Sequence, residues 1–209
     1  MRVAIVGLQG GVYEHAYMLR RLGVEPVIAK KPRDLSNVDG VIIPGGESTT
    51  IHRLAVYTGL WDALRELASQ GTPFMGTCAG AILLAKRVRD AKVGEARVET
   101  LGVLDVTMVR NAYGRQRESF EIDIELSWSP GKPFRAVFIR APAIIETGPG
   151  VEVLAKLDTS RAPLLVPNPP REVPVVVREG PVLATTFHPE LTSDTRIHEY
   201  FVNMVKGRV

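Results

Sequence analysis

The sequence predicts an α/β fold, a parallel sheet covered by helices on both faces and extended by antiparallel strands, within one domain spanning 1–209. Three observations carry this. The first half alternates short apolar runs with segments of helical period. The second half is a series of strand-like runs with little helix between them. Glycine-rich turns follow several of the apolar runs, as they do where strands feed helices.

In order, residues 2–8 (RVAIVGL) read as a buried strand and 11–23 (GVYEHAYMLRRLG) as a helix with a glycine stop. Residues 25–30 (EPVIAK) form a second strand, and 39–46 (DGVIIPGG) a third that ends in a turn. Residues 48–71 are helical with a break near Gly59, and 72–78 (TPFMGTC) form a fourth strand. A helix is expected from Ala79 to about Arg87. Strands then follow at 101–109, 119–126, 134–141, 151–157, 174–180 and 181–187, with a last helix from about Ser193 to Val205. The segment 158–174 carries five prolines and reads as a surface hairpin or loop.

Composition narrows the function classes. At 209 residues the chain can bury a full core, and 45% hydrophobic with 23% charged residues is ordinary for a soluble globular protein. The net charge of +3 is spread along the chain without a Lys/Arg block, which argues against nucleic acid. No apolar run is long enough for a membrane span, and the N-terminus lacks a signal-peptide layout. A single cysteine cannot form an internal disulfide and suits the cytoplasm.

That cysteine, Cys78, lies in Gly76-Thr77-Cys78-Ala79-Gly80, between a strand and a helix. A nucleophile flanked by glycines at such a turn is lifted clear of the backbone, and a helix start favours thiolate. The N–H of Ala79 points to where a tetrahedral oxyanion would form. The same five residues fit equally a small buried cysteine in a glycine-rich turn. A thiol nucleophile needs a base. Of the four histidines, His15, His52 and His198 lie within helical patterns and read as surface or packing residues. His188 instead closes a strand, in Phe187-His188-Pro189-Glu190. Pro189 keeps His188 extended, so that Glu190 points the same way and can hold the imidazole. By itself this also fits a histidine ending a strand beside a capping glutamate. In the turn Pro44-Gly45-Gly46-Glu47-Ser48, Gly46 can give a second oxyanion donor, while Glu47 and Ser48 can bind an amino-acid head group. Ser48 is alternatively a helix N-cap. The early GLQGG, 7–11, lacks the spacing and the lysine of a phosphate loop, so nucleotide binding is rejected there; no metal cluster is evident, and no cofactor is called for.

Taken together, GTCAG, PGGES and HPE resemble the class I, triad-type glutamine amidotransferases. More narrowly, GLQGGVYEH, PGGESTT, GTCAG, RNAYGRQRESFE, FIRAP and TFHPEL resemble the glutaminase subunits of pyridoxal 5′-phosphate synthase, in order from residue 3 to about 205. The resemblance implies a three-layer, flavodoxin-like fold and hydrolysis of L-glutamine to L-glutamate and ammonia. It implies Cys78 as nucleophile with His188 and Glu190 as partners. It implies glutamine contacts from Gly46, Glu47, Ser48, Arg110, Ile139 and Arg140. A guanidinium suits an α-carboxylate, although without the resemblance both arginines read as strand-edge charges. It further implies that ammonia is accepted by a barrel-shaped synthase subunit, in a hetero-oligomer for vitamin B6 synthesis. Gln9, in the first turn, is expected to couple that partner to the peptide beside Gly46. Segment 158–174 is longer than the family usually has. Two other readings stand beside this one: a glutaminase subunit feeding a different synthase, and a non-catalytic flavodoxin-like regulatory subunit.

Overall fold

A computed structural model of the chain describes residues 1–91, 98–114 and 118–209, and the backbone of Gly94–Glu95. The first half runs β1 (Arg2–Val6), α1 (Val12–Arg21), β2 (Glu25–Ala29), β3 (Gly40–Ile43), α2 (Ser48–Thr58), α3 (Leu60–Ser69), β4 (Phe74–Thr77) and α4 (Ala79–Leu84). The strands of the second half are β5 (Ala85–Asp90), β6 (Gly94–Glu95), β7 (Leu104–Arg110), β8 (Phe120–Ile124), β9 (Phe134–Phe138), β10 (Ala143–Thr147), β11 (Glu152–Asp158), β12 (Glu172–Glu179) and β13 (Val182–Thr185). The helix α5 (Arg196–Val205) ends the fold.

The central sheet has seven strands in the order β11-β12-β13-β4-β3-β1-β2. From β13 to β2 every pair is parallel, while β12 runs antiparallel to both of its neighbours. The sheet is therefore mixed and mainly parallel, as expected. Successive side chains of a strand point to opposite faces, and the core divides accordingly. Val3, Ile5, Ile42, Met75 and Leu183 pack with α1, α5 and the β8–β9 hairpin. Ala4, Val41, Ile43, Phe74 and Ala184 pack with α2, α3 and α4 on the other face. These are the three layers.

The structure corrects several details of the second half. The helix after Cys78 stops at Leu84, short of Arg87, and Ala85–Asp90 is β5. Its apolar run is buried all round, whereas Lys86 and Arg87 onward form a half-exposed strand that pairs with β6 and β7. β6 and β10 were not expected as separate strands. With β5 and β7 they form a second, four-stranded sheet, order β10-β7-β5-β6, outside the central one. The break at Gly59 is as expected; its φ of 74° is the left-handed region that glycine enters freely. The last helix begins at Arg196 instead of Ser193. The proline-rich segment is the tip of the β11–β12 hairpin. Its base is closed by Thr159, whose N–H donates to Arg171 O at 2.8 Å and whose hydroxyl donates to Pro170 O at 2.7 Å. β12 starts at Glu172, inside that segment. Of the RNAYGRQRESFE motif, residues 115–117 lie outside the described residues.

Candidate active site

The turns that follow β1, β3, β4 and β13 share one edge of the sheet, because these strands are parallel. At this edge, the C-terminal ends of the strands, α/β sheets hold their ligands. Cys78 is the single residue between β4 and α4. Its φ of 51° and ψ of −105° lie outside the regions an L-residue ordinarily occupies. The flanking glycines explain how so tight a turn is made. A Cβ on Gly80 would fall on the carbonyl of Ile43 in β3, and one on Gly76 would meet the backbone of Gly80 and Ala81. The Cys78 N–H donates to Thr185 O at 2.8 Å, tying the elbow to the end of β13.

Three residues further on, His188 is fixed by its own N–H, which donates to Val137 O at 2.9 Å. Its Nδ1 lies 2.8 Å from Glu190 Oε1. His188, at φ −104° and ψ 87°, is not in the extended conformation expected, and Glu190 reaches it by a different route from strand alternation. Pro189–Leu191 form a single 3-10 turn that folds the carboxylate back under the ring. With Nδ1 engaged, Nε2 is the ring nitrogen left for Cys78, which lines the same cleft as His188. The Sγ also lies 3.9 Å from the carbonyl of Ile139. A Cβ on Gly45 would overlap the His188 ring, so that glycine makes room for the base.

The electrostatics suit a charged relay. Burial works against an imidazolium at His188, but Cys78 and Glu190 outweigh it and raise the group to about 10. Burial likewise opposes ionisation of Glu190, and His15 and His188 beside it hold it down to about 2.

Cys78 and His188 open into a cleft of about 250 Å³, lined also by Gln9, Gly46, Glu47, Ser48, Ala79, Arg110, Ile139 and Arg140. Every residue singled out from the sequence is therefore at the cleft except Glu190, which stands behind His188. Glu47 Oε1 accepts from Arg140 at 2.8 Å and from Arg110 at 3.4 Å, and its other oxygen accepts from the Thr49 hydroxyl. Two guanidinium groups thus converge on one carboxylate beside the thiol. Ser48 is the first residue of α2 instead of its cap. Its hydroxyl is buried with no hydrogen-bond partner among the described residues, and Ser48 lines the cleft. Gln9 Oε1 accepts from the N–H of Glu47 at 2.8 Å, which fixes the 46–47 peptide. Among the described residues no cluster of His, Cys, Asp and Glu is arranged for a metal ion.

Sequence reasoning missed Ile82, Asn111 and Pro142, which also line the cleft. Asn111 adjoins Arg110 in the same motif and takes a positive φ of 56°. It also read His15 and His198 too blandly. Neither is at the surface; both are completely buried and meet directly behind Glu190. His15 falls on the helical stripe Val12, Ala16, Leu19, which was the available signal. His52 is the packing residue expected, edge-on to Trp61.

With this geometry in place, comparison with known proteins adds the lineage. A family model described as the SNO glutamine amidotransferase family matches residues 5–207. The chain is 52% identical to a protein of Aeropyrum pernix named pyridoxal 5′-phosphate synthase subunit PdxT, over 99% of this chain and all of that one. It is 49% identical to the protein of that name from Thermotoga maritima, over 99% and 100% of the two chains. A crystal structure described as a glutamine amidotransferase superposes with a TM-score of 0.83 at 44% identity, covering 98% of both chains. The structure of PurLQS from Thermotoga maritima, 15% identical over 97% of both chains, shares the fold with a TM-score of 0.63. The chain belongs to the SNO glutamine amidotransferase family.

Proposed function

We propose that this protein hydrolyses L-glutamine to L-glutamate and ammonia with Cys78 as the nucleophile, and that the ammonia passes to a pyridoxal 5′-phosphate synthase subunit for vitamin B6 synthesis. The observation that carries the reading is Cys78 on its positive-φ elbow beside the His188–Glu190 pair, in a cleft bearing two arginines. Family membership and the names of the full-length relatives support the same reaction and the same partner.

His188 Nε2 takes the proton of Cys78 Sγ, and Glu190 steadies the imidazolium. The thiolate attacks the side-chain amide carbon of glutamine. The oxyanion rests on the N–H of Ala79, with Gly46 as the second donor. His188 returns its proton to the amide nitrogen, the C–N bond breaks, and ammonia leaves a γ-glutamyl thioester. Water, losing a proton to His188, then attacks the thioester; glutamate departs and Cys78 regains its proton. Arg110 and Arg140 receive the α-carboxylate of the substrate, and Glu47 and Ser48 its α-ammonium. In the free chain Glu47 supplies the anion between the two arginines. Ile139 forms part of the cleft wall, with its carbonyl beside the thiol.

The proposed acceptor is a synthase subunit with the shape of a barrel, and the proposed compartment is the cytoplasm. The whole chain acts as one glutaminase domain. The test is a steady-state assay in which the cognate synthase is titrated into the protein at saturating glutamine. Glutamate release and pyridoxal phosphate formation should rise together. Glutamate release with no ammonia reaching that synthase would favour a different acceptor.

A further inference from the structure

Behind the catalytic pair lies a polar group that the reaction as written does not use. Glu190 presents Oε1 to His188, while its Oε2 is buried and has no hydrogen bond among the described residues. His15 Nε2, on α1, faces that oxygen at 3.5 Å. The same nitrogen is 3.3 Å from the hydroxyl of Thr77, the residue before the nucleophile. On its far side His15 Nδ1 lies 2.9 Å from His198 Nε2, on α5. His198 Nδ1 is buried without a partner among the described residues. Both imidazoles are completely buried.

The protons can be assigned from these contacts. One proton lies between His15 Nδ1 and His198 Nε2. If His15 carried it, His15 Nε2 would turn a lone pair to the Glu190 carboxylate, and His198 would be left with a buried N–H that has no acceptor. A buried orphan donor is rarely tolerated, and a bare acceptor is tolerated more often. The other arrangement has neither fault. His198 Nε2–H donates to His15 Nδ1, and His15 Nε2–H points to Glu190 Oε2 and Thr77. Every N–H in the array is then aimed along the line toward the carboxylate. Burial keeps His15 below its ordinary value and takes His198 down to about 3, in accord with two neutral rings.

We propose that His15 is a positioning residue for the glutaminase reaction: its Nε2–H holds the second oxygen of Glu190, with its tautomer set by His198, and so keeps Glu190 ionised and oriented under His188. This rests on the Cys78–His188–Glu190 reading above. The groups that face Glu190 are His188 after β13, Cys78 through that ring, His15 with Glu14 nearby on α1, and His198 behind on α5. Gly11, at the start of α1, lies against Oε1 without a side chain, so the helix N-terminus also favours the carboxylate.

The test compares His15→Leu and His15→Gln in the full chain with its cognate synthase. Glutamine can bring its Nε2 donor close to the position of the imidazole Nε2; leucine cannot donate. In His15→Leu, kcat should fall about tenfold or more, as when a buried charged acceptor loses the polar group that faces it. The acid limb of kcat, and of Cys78 alkylation by iodoacetamide, should move up by about one pH unit, with KM little changed. His15→Gln should restore both limbs. A folded His15→Leu with an unmoved acid limb would overturn the proposal, as would equal shifts in the two variants. His188→Asn separates the underlying reading, since full activity there would remove the triad itself. A measurement on the unaltered chain needs no variant to fold: long-range ¹H–¹⁵N correlation of the histidine rings. It should give His15 the neutral Nε2–H pattern, and an Nδ1–H pattern would overturn the proposal.

Discussion

Cys78 holds a conformation that disfavours any residue with a Cβ, at a cost of order 1–3 kcal/mol. The tight approach of Gly76 and Gly80 to the backbone enforces it. Removing the side chain should therefore release strain. Cys78→Gly is expected to be more stable than Cys78→Ala by up to about 1 kcal/mol, read from urea midpoints at equal m-value. A midpoint for glycine equal to or below that for alanine would show that the elbow stores no strain. A second residue-scale expectation concerns the arginines. Arg110→Ala and Arg140→Ala should each raise KM for glutamine by roughly ten- to hundredfold, since a charged hydrogen bond is lost. Iodoacetamide should still alkylate Cys78 at the normal rate in both. Unchanged KM values would move the carboxylate site away from these side chains.

At the scale of elements, within a core to which both helices also give apolar residues, α1 and α5 meet through two buried histidines. Their values are depressed by burial, so the folded chain refuses protons that the unfolded chain accepts below its ordinary value of about 6.5. The contribution is present above that pH and lost as pH falls toward the folded values. Each such histidine steepens the loss by about 1.4 kcal/mol per pH unit where only the unfolded chain is protonated. His198→Leu should thus lose stability less steeply than the parent as pH falls from about 6.5 toward about 3. Parallel slopes in denaturant titrations would contradict the assignment of neutral rings. The same helices show what the sequence did and did not disclose. Parallel strands and their turns were legible because apolar runs and glycine punctuation are local signals. So were Cys78, His188, the PGGES turn and Gly59. The proposed glutamine contacts Arg110, Ile139 and Arg140 were legible only through the resemblance. The strand at 85–90 was not legible, because its pairing with 104–110 is a tertiary fact and AILLAK continues a helical run. The role of His15 was hidden for a related reason. A helical stripe predicts burial, but the partners that make a buried histidine functional come from α5 and the turn after β13.

For the whole molecule, the cleft lies where four strand ends meet, and one of its walls is held by Gln9 from the first turn. That side chain accepts the N–H of Glu47 and so governs the peptide next to Gly46. We propose that a synthase subunit engaging Gln9 releases this peptide and lets the adjoining Gly46 N–H turn toward the oxyanion. The free subunit is therefore expected to be slow, and its activity to rise clearly on adding the cognate synthase, with a smaller rise in Gln9→Ala. Titration of glutamate release against synthase concentration reads this; an equal rise in parent and variant would separate Gln9 from the coupling. The central claim is simpler, that one thiol carries the reaction. Its most direct test is glutamate release from L-glutamine by Cys78→Ala, assembled with synthase and matched to the parent in folding and in binding to that partner. The account predicts no release above the uncatalysed rate, because alanine fits the elbow and supplies no nucleophile. Release near the parental rate would contradict it.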